Sequence, residues 1–169
     1  MANAYFDLRC FDQALAMAER ALVVQRRVGR RFGEGIALGI IGGACRELGR
    51  RTEAIDHLRE ALSISREFDD RRFEAASLSD LGDAYLGVDR VAEAVGCYRE
   101  SLAIRRDIAD RRGQATTLRR LAMASQRSGD ARRAVELLTE ALGLCEELGD
   151  HAGASEVRAS LAENRREAG

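Results

Sequence analysis

Residues 73–112 read FEAASLSDLGDAYLGVDRVAEAVGCYRESLAIRRDIADRR, and sliding this stretch by 40 residues in either direction finds it again. The preceding copy is 33–72 and the following one 113–152, with a partial copy at 1–32 and a shorter one at 153–169. Self-similarity at one fixed period marks an array of supersecondary units, each burying its apolar face against its neighbours. Two columns stay small in every copy: Ala14, Ala54, Ala94 and Ala134, and Ala21, Ala61, Ser101 and Ala141. Small residues recur where two helix backbones come close together, so the unit reads as a helix pair.

Composition points the same way. The chain has 169 residues, 46% of them hydrophobic, with neither proline nor tryptophan. Helix formers without breakers argue for an all-α protein. All 27 basic residues are arginine, which reads as the codon bias of a GC-rich bacterial genome. A net charge of −1 exerts no global pull on nucleic acid or on a membrane surface. No apolar run approaches the roughly 20 residues that span a bilayer, and the start lacks a signal-peptide core, so a cytoplasmic location is expected. Cys10, Cys45, Cys97 and Cys145 lie far apart and form no ligand motif, and Cys45 falls in a packing column. No metal and no cofactor is expected.

Within the central copy, Leu78-x-x-Leu81-Gly82-x-x-Tyr85 is followed by Ala94-x-x-x-Tyr98. This pattern resembles the tetratricopeptide repeat, and the likeness extends over the whole chain. The 40-residue variant is similar to arrays at the C-terminal end of large bacterial transcriptional regulators and NTPase-type signalling proteins. The resemblance implies an α-solenoid of antiparallel helix pairs, a tetratricopeptide-like superhelix forming one array over 1–169. Nine helices are expected, the first truncated, with the first helix of each pair lining a concave groove. It also implies a scaffold that binds a protein or peptide, as a module of a larger regulator. Two other classes stay open: a self-association module, and a peptide or small-ligand sensor.

In chain order, Met1 to Leu8 reads as the tail of a helix, and Phe11 to Val28 as its partner, with Leu15, Ala18 and Leu22 inward and Gly29 as C-cap. With its opening turns missing, that first helix should leave Leu15 or Leu22 uncovered, which suggests a homodimer through the N-terminal end. Gly33, Gly35, Gly39, Gly42 and Gly43 crowd the next helix, where each interior glycine costs about 1 kcal/mol relative to alanine. Gly42 aligns with Gly82 as the crossing residue, whereas Gly39 and Gly43 leave a shallow floor beside Ile36 and Ile40 that a partner could approach. The second helix of that copy is expected over 52–68. Asp89 is expected to cap a helix over 91–108, with Ala94, Val95, Tyr98, Ser101, Leu102 and Ile108 inward. The last segment, 154–166, keeps Val157 and Leu161 on one side and charges on the others, as a helix sealing an array would.

Catalytic constellations fail. His57 and His151 stand in unrelated columns with no nucleophile beside them, and no phosphate-cradling loop follows a strand, so no enzyme is expected. Arg31, Arg71 and Arg111 form a ladder, as do Arg26, Arg66 and Arg106, but acids sit beside them and no aromatics interleave. Helix-end arginines complement the helix dipole, and the reading disfavours nucleic acid. Groove-facing columns supply the candidate site: Ile36, Gly39, Ile40, Gly43 and Arg46, then Ser79, Asp80 and Asp83, then Thr116, Arg119, Arg120, Met123 and Arg127. That order runs from apolar through acidic to basic, unless Asp80 and Asp83 only neutralise Arg119 and Arg120.

Overall fold

The computed structural model describes residues 8–168, and among these the regular elements are all α-helices. They are α1 (Phe11–Arg27), α2 (Arg31–Glu47), α3 (Arg51–Glu67), α4 (Arg71–Gly87), α5 (Val91–Asp107), α6 (Arg111–Arg127), α7 (Ala131–Glu147) and α8 (His151–Ala168). The expected helix tail at Met1 to Leu8, with its tyrosine Tyr5, falls almost wholly outside the described residues. Helix starts are 20 residues apart throughout, so the sequence period of 40 contains two equal half-steps. Each of α1 to α7 has 17 residues and is about 25 Å long at a rise of about 1.5 Å per residue. None of the helices is long and apolar enough to cross a membrane.

The half-step is built by the turn. The second residue before each helix start has positive φ: Arg9, Gly29, Gly49, Asp69, Asp89, Ala109, Gly129 and Gly149. The left-handed residue lets the backbone close two hydrogen bonds on the last helical carbonyls. In the first turn Gly29 N–H donates to the Arg26 carbonyl and Arg30 N–H to the Gln25 carbonyl. Two residues further on the next helix is running, so consecutive helices must be antiparallel. Gly29 therefore takes its expected place. Asp89 does not: it is the left-handed residue ending α4, and Arg90 precedes α5 without a side-chain cap. The capping carboxylates are one position later, where Asp70, Asp110, Asp130 and Asp150 accept from the N–H groups of Phe73, Gly113, Arg133 and Gly153.

The chain forms two compact units, Met1–Asp89 and Arg90–Gly169, divided between the two helices of the copy at 73–112. In unit 1 adjacent helices pack in succession, and α2 also touches α4. In unit 2 α5 packs on α6, α6 on α7 and α7 on α8. Both units bury the small columns: Ala14 and Ala54 in unit 1 and Ala94 and Ala134 in unit 2 are fully inaccessible. Tyr98 is the largest fully buried side chain, while Val95 and Ile108 of the expected stripe are half-buried and Ile104 takes an inward place instead. Leu15 and Leu22 are buried, contrary to the expectation that one of them stands uncovered; the exposed apolar residues of α1 are Val23 and Val24. A helix with four inward residues satisfies these leucines, and the valines lie on its other face. In α8, Val157 and Leu161 point inward as expected, joined by Ala154 and Asn164.

The glycine-rich α2 follows from packing. A Cβ on Gly42 would fall 2.5 Å from Leu58 Cγ and 3.3 Å from the Ala54 carbonyl oxygen, which makes Gly42 the crossing residue. A Cβ on Gly35 would fall 2.7 Å from Ile64 Cγ2 and 3.2 Å from Phe73 Cε1. Gly39 has open room, with its nearest neighbour, Phe73 Cε2, at 3.5 Å. Two of these glycines thus admit α3 and α4 side chains, and propensity is offset by contact.

The arginine ladder is engaged within the array. Arg26 bonds Glu60 at 2.9 Å and Arg31 bonds Glu67 at 3.3 Å; Arg106 bonds Glu140 at 2.6 Å and Arg111 pairs with Glu147. The same arginines cage buried acids that the sequence reading did not single out. Glu34 pairs with Arg31 at 3.0 Å, and Glu74 pairs with Arg66 at 2.9 Å and Arg71 at 2.8 Å. The hydrogen bonds that Arg31 donates to Glu34 and Glu67 raise its pKa above the usual value.

Candidate partner-binding surfaces

Unit 1 brings its candidate residues to α2 and α4. Ile36 is exposed, and Gly39 and Ile40 are half-buried. Gly43 and Ser79 are buried, so they back the surface instead of lining it. A helix packed on both sides presents a narrower outer stripe than a column count implies. Arg46, also half-buried, ties the expected apolar and acidic parts together. It donates to Asp83, lies 3.8 Å from Asp80, and bonds Glu47 at 2.7 Å. Burial opposes its charge, but the Asp80 and Asp83 carboxylates outweigh that and raise its pKa. The acidic pair therefore has a cation inside unit 1, which weakens its appeal as a landing place for a basic segment.

Unit 2 brings its candidates to α6. Thr116 and Arg127 are exposed, Arg119 and Arg120 half-buried, and Met123 is 58% exposed. Arg119 donates to Glu156 of α8. Arg119 and Met123 converge on a pocket of about 240 Å³ whose other walls are Ala122, Gln126, Leu138, Ser160, Glu163 and Asn164. Those six escaped the sequence reading because α7 and α8 contribute four of them, and single-helix columns do not show what neighbouring helices add. A signal did exist. Ala122 and Leu138 stand 80 residues beyond Gly42 and Leu58, the tight crossing contact of unit 1. Where the crossing carries a methyl group, the equivalent two residues line a cavity. The Asn164 amide, almost wholly buried, donates to the Ser160 carbonyl at 2.9 Å, and its Oδ1 has no hydrogen-bond partner.

Chemically, the pocket offers an apolar floor from Ala122, Met123 and Leu138 with Arg119 and Glu163 at its rim. Nothing in it forms a nucleophile–base pair. Among the described residues no group of three or more His, Cys, Asp and Glu side chains could hold a metal ion. Cys45 and Cys145 are buried, and burial raises both thiol pKa values.

Residues 1–67 and 34–107 match a family model described as Tetratricopeptide repeat, and residues 117–152 match a second model with the same description. These matches take in well over half of the chain, which belongs to the tetratricopeptide repeat family. Its members are generally non-enzymatic scaffolds for protein–protein interaction. No curated protein sequence matches the chain. Among solved structures, a Podosopora anserina protein named as a kinesin light chain with nearly identical TPR-like repeats is 20% identical. The match covers 98% of this chain and 82% of that one, with a TM-score of 0.82. BtubC (BKLC) from P. vanneervenii is 22% identical over 91% of this chain and 65% of that one, at a TM-score of 0.76. Aspartyl phosphate phosphatase F from Bacillus subtilis is 13% identical over 94% of this chain and 42% of that one, at a TM-score of 0.85. At these identities the likeness is one of fold: an all-α solenoid of antiparallel helix pairs.

Proposed function

We propose that the chain docks a segment of a partner protein on the α6 face of unit 2, seating one bulky apolar side chain in the pocket beside Met123. The carrying observation is that exposed Met123 and the half-buried Arg119 share one cavity, an apolar floor with a cation at its edge. A methionine adapts to varied side chains, and such floors recur where extended or helical peptides are held. Arg119 is held by an exposed partner, Glu156, and can exchange it for a carboxylate of the docked segment at small cost. An apolar residue flanked by acids is therefore the favoured ligand. The partner class is a protein or peptide, with no role for nucleic acid, since the ladder arginines are occupied by glutamates.

The array acts as a non-catalytic module of a bacterial regulatory or signalling protein in the cytoplasm. The all-arginine basic composition supports the bacterial setting. The test is display selection of peptides on the parent chain, followed by calorimetric titration of Met123→Asp and of the double variant Arg119→Glu, Arg120→Glu. Loss of a charge-assisted contact should weaken binding by about 1.5–3 kcal/mol while thermal stability moves little. Parent-like binding by both variants refutes the site.

A further inference from the structure

A second surface belongs to unit 1, at the α1–α2 and α3–α4 turns. Val28, Phe32 and Phe68 are 57%, 37% and 47% exposed, and the rings of Phe32 and Phe68 meet edge to face at 5.5 Å. With Gly29 and Arg30 these rings frame an open depression of about 460 Å³. The α1–α2 side of the depression is basic, with Arg26, Arg27, Arg30 and Arg31 within six residues, while Glu67, Asp69 and Asp70 flank Phe68 on the α3–α4 side. Arg26 and Arg31 are held by glutamates, whereas Arg27 and Arg30 make no ion pair among the described residues. On its α1–α2 side the depression therefore offers two unpaired cations, Arg30 in its wall and Arg27 one turn back, to an apolar side chain flanked by acids.

The chain carries that complement in unit 2. The turn that follows α7 is built like the one that follows α1, with Gly149 and Gly29 both at φ 67° and the same two backbone hydrogen bonds. Its residues are Glu146, Glu147, Leu148, Gly149 and Asp150, and Leu148 is 45% exposed. Arg-Arg-Val-Gly-Arg-Arg in one turn thus corresponds in sequence to Glu-Glu-Leu-Gly-Asp in the other, apolar residue at the same position, charge reversed.

We propose that a second copy of this chain occupies the depression: Leu148 of one copy enters between Phe32 and Phe68 of another, and Glu146 and Glu147 meet Arg27 and Arg30. The glutamates leave exposed partners, Arg158 and Arg111, and pairs of that kind contribute little, so the exchange costs little. Rim charges of opposite sign set register and make association salt-dependent.

Sedimentation velocity of the full chain from micromolar to near-millimolar concentration, at low and high salt, tests this together with two charge reversals. Arg27→Glu with Arg30→Glu, and Glu146→Arg with Glu147→Arg, should each weaken self-association about tenfold or more. Mixing the two reversed proteins restores complementary turns and should restore association. Leu148→Ser provides an arm that changes no charge and should also weaken it. Circular dichroism confirms that each variant is folded. A parent that stays monomeric throughout overturns the proposal and leaves the depression to a different protein. Association that ignores the reversals, or a mixture that fails to associate, overturns it equally.

Discussion

Two alanine substitutions three residues apart on α2 should change stability in opposite directions. Replacing an interior helical glycine with alanine favours the helix by about 1 kcal/mol. At Gly39 nothing opposes that gain, because the new Cβ would sit 3.5 Å from Phe73 Cε2, an ordinary contact. Gly39→Ala should therefore stabilise by about 1 kcal/mol. At Gly42 the Cβ would fall 2.5 Å and 2.8 Å from Leu58 Cγ and Cδ2, and 3.3 Å from the Ala54 carbonyl oxygen. Leu58 is fully buried and the carbonyl belongs to the α3 backbone, so relief requires the helices to separate. Overpacking of this kind costs about 1–3 kcal/mol, and with a backbone atom in the way the upper end applies. After the propensity gain, Gly42→Ala should destabilise by about 2 kcal/mol. Urea unfolding followed by far-ultraviolet circular dichroism reads both. For a chain of this size each kcal/mol moves the melting temperature by about 2–4 °C. A destabilised Gly39→Ala, or a neutral or stabilised Gly42→Ala, would refute the packing account of the glycine-rich helix.

Ala109→Gly should stabilise by about 0.5–1 kcal/mol in the same assay, because Ala109 holds φ at 54°, which costs a residue with a Cβ about 1–2 kcal/mol, less the about 0.4–1 kcal/mol of unfolded-state entropy that glycine adds. Asp110→Ala should cost about 1–2 kcal/mol, since it removes the acceptor of the Gly113 N–H at 3.0 Å and the partner of Arg105 at 2.6 Å. Burial raises the Cys45 thiol above its ordinary pKa of 9.0, so the folded chain keeps a proton that the unfolded chain loses. That contribution is complete below pH 9 and is lost as pH rises towards the folded-state value. Urea midpoints should fall above pH 9, and less so in Cys45→Ala, whose midpoint below pH 9 serves as the reference.

How much of this was legible before any coordinates depends on which residue is asked. Ala54, Ala94 and Ala134 announced the helix pair because backbone approach leaves only small side chains, and they are inaccessible in the fold. Gly42 was legible for the same reason. The turns were half legible: Gly29 and Gly49 mark left-handed positions, but Asp69, Asp89 and Ala109 occupy the same conformation without a glycine to show it. Asp89 was misread as a cap because an acid before a helix usually is one. Opposite charges recurring at separations of 34 and 36 residues would have exposed the Arg26–Glu60 and Arg31–Glu67 pairs, had spacing been read across copies and not along one column. The pocket beside Met123 was the least legible part, since three helices build it and outward columns along single helices do not show which helices converge.

The docking claim for unit 2 is tested most directly by methyl and backbone chemical-shift mapping while a display-selected peptide is titrated into the chain. The Met123 methyl group and the methyls of Ala122 and Leu138 should shift together and saturate with the affinity found by calorimetry, with the Arg119 guanidinium following. Shifts confined to Phe32, Phe68 and Leu148 at the turns, with Met123 unmoved at saturation, would contradict it.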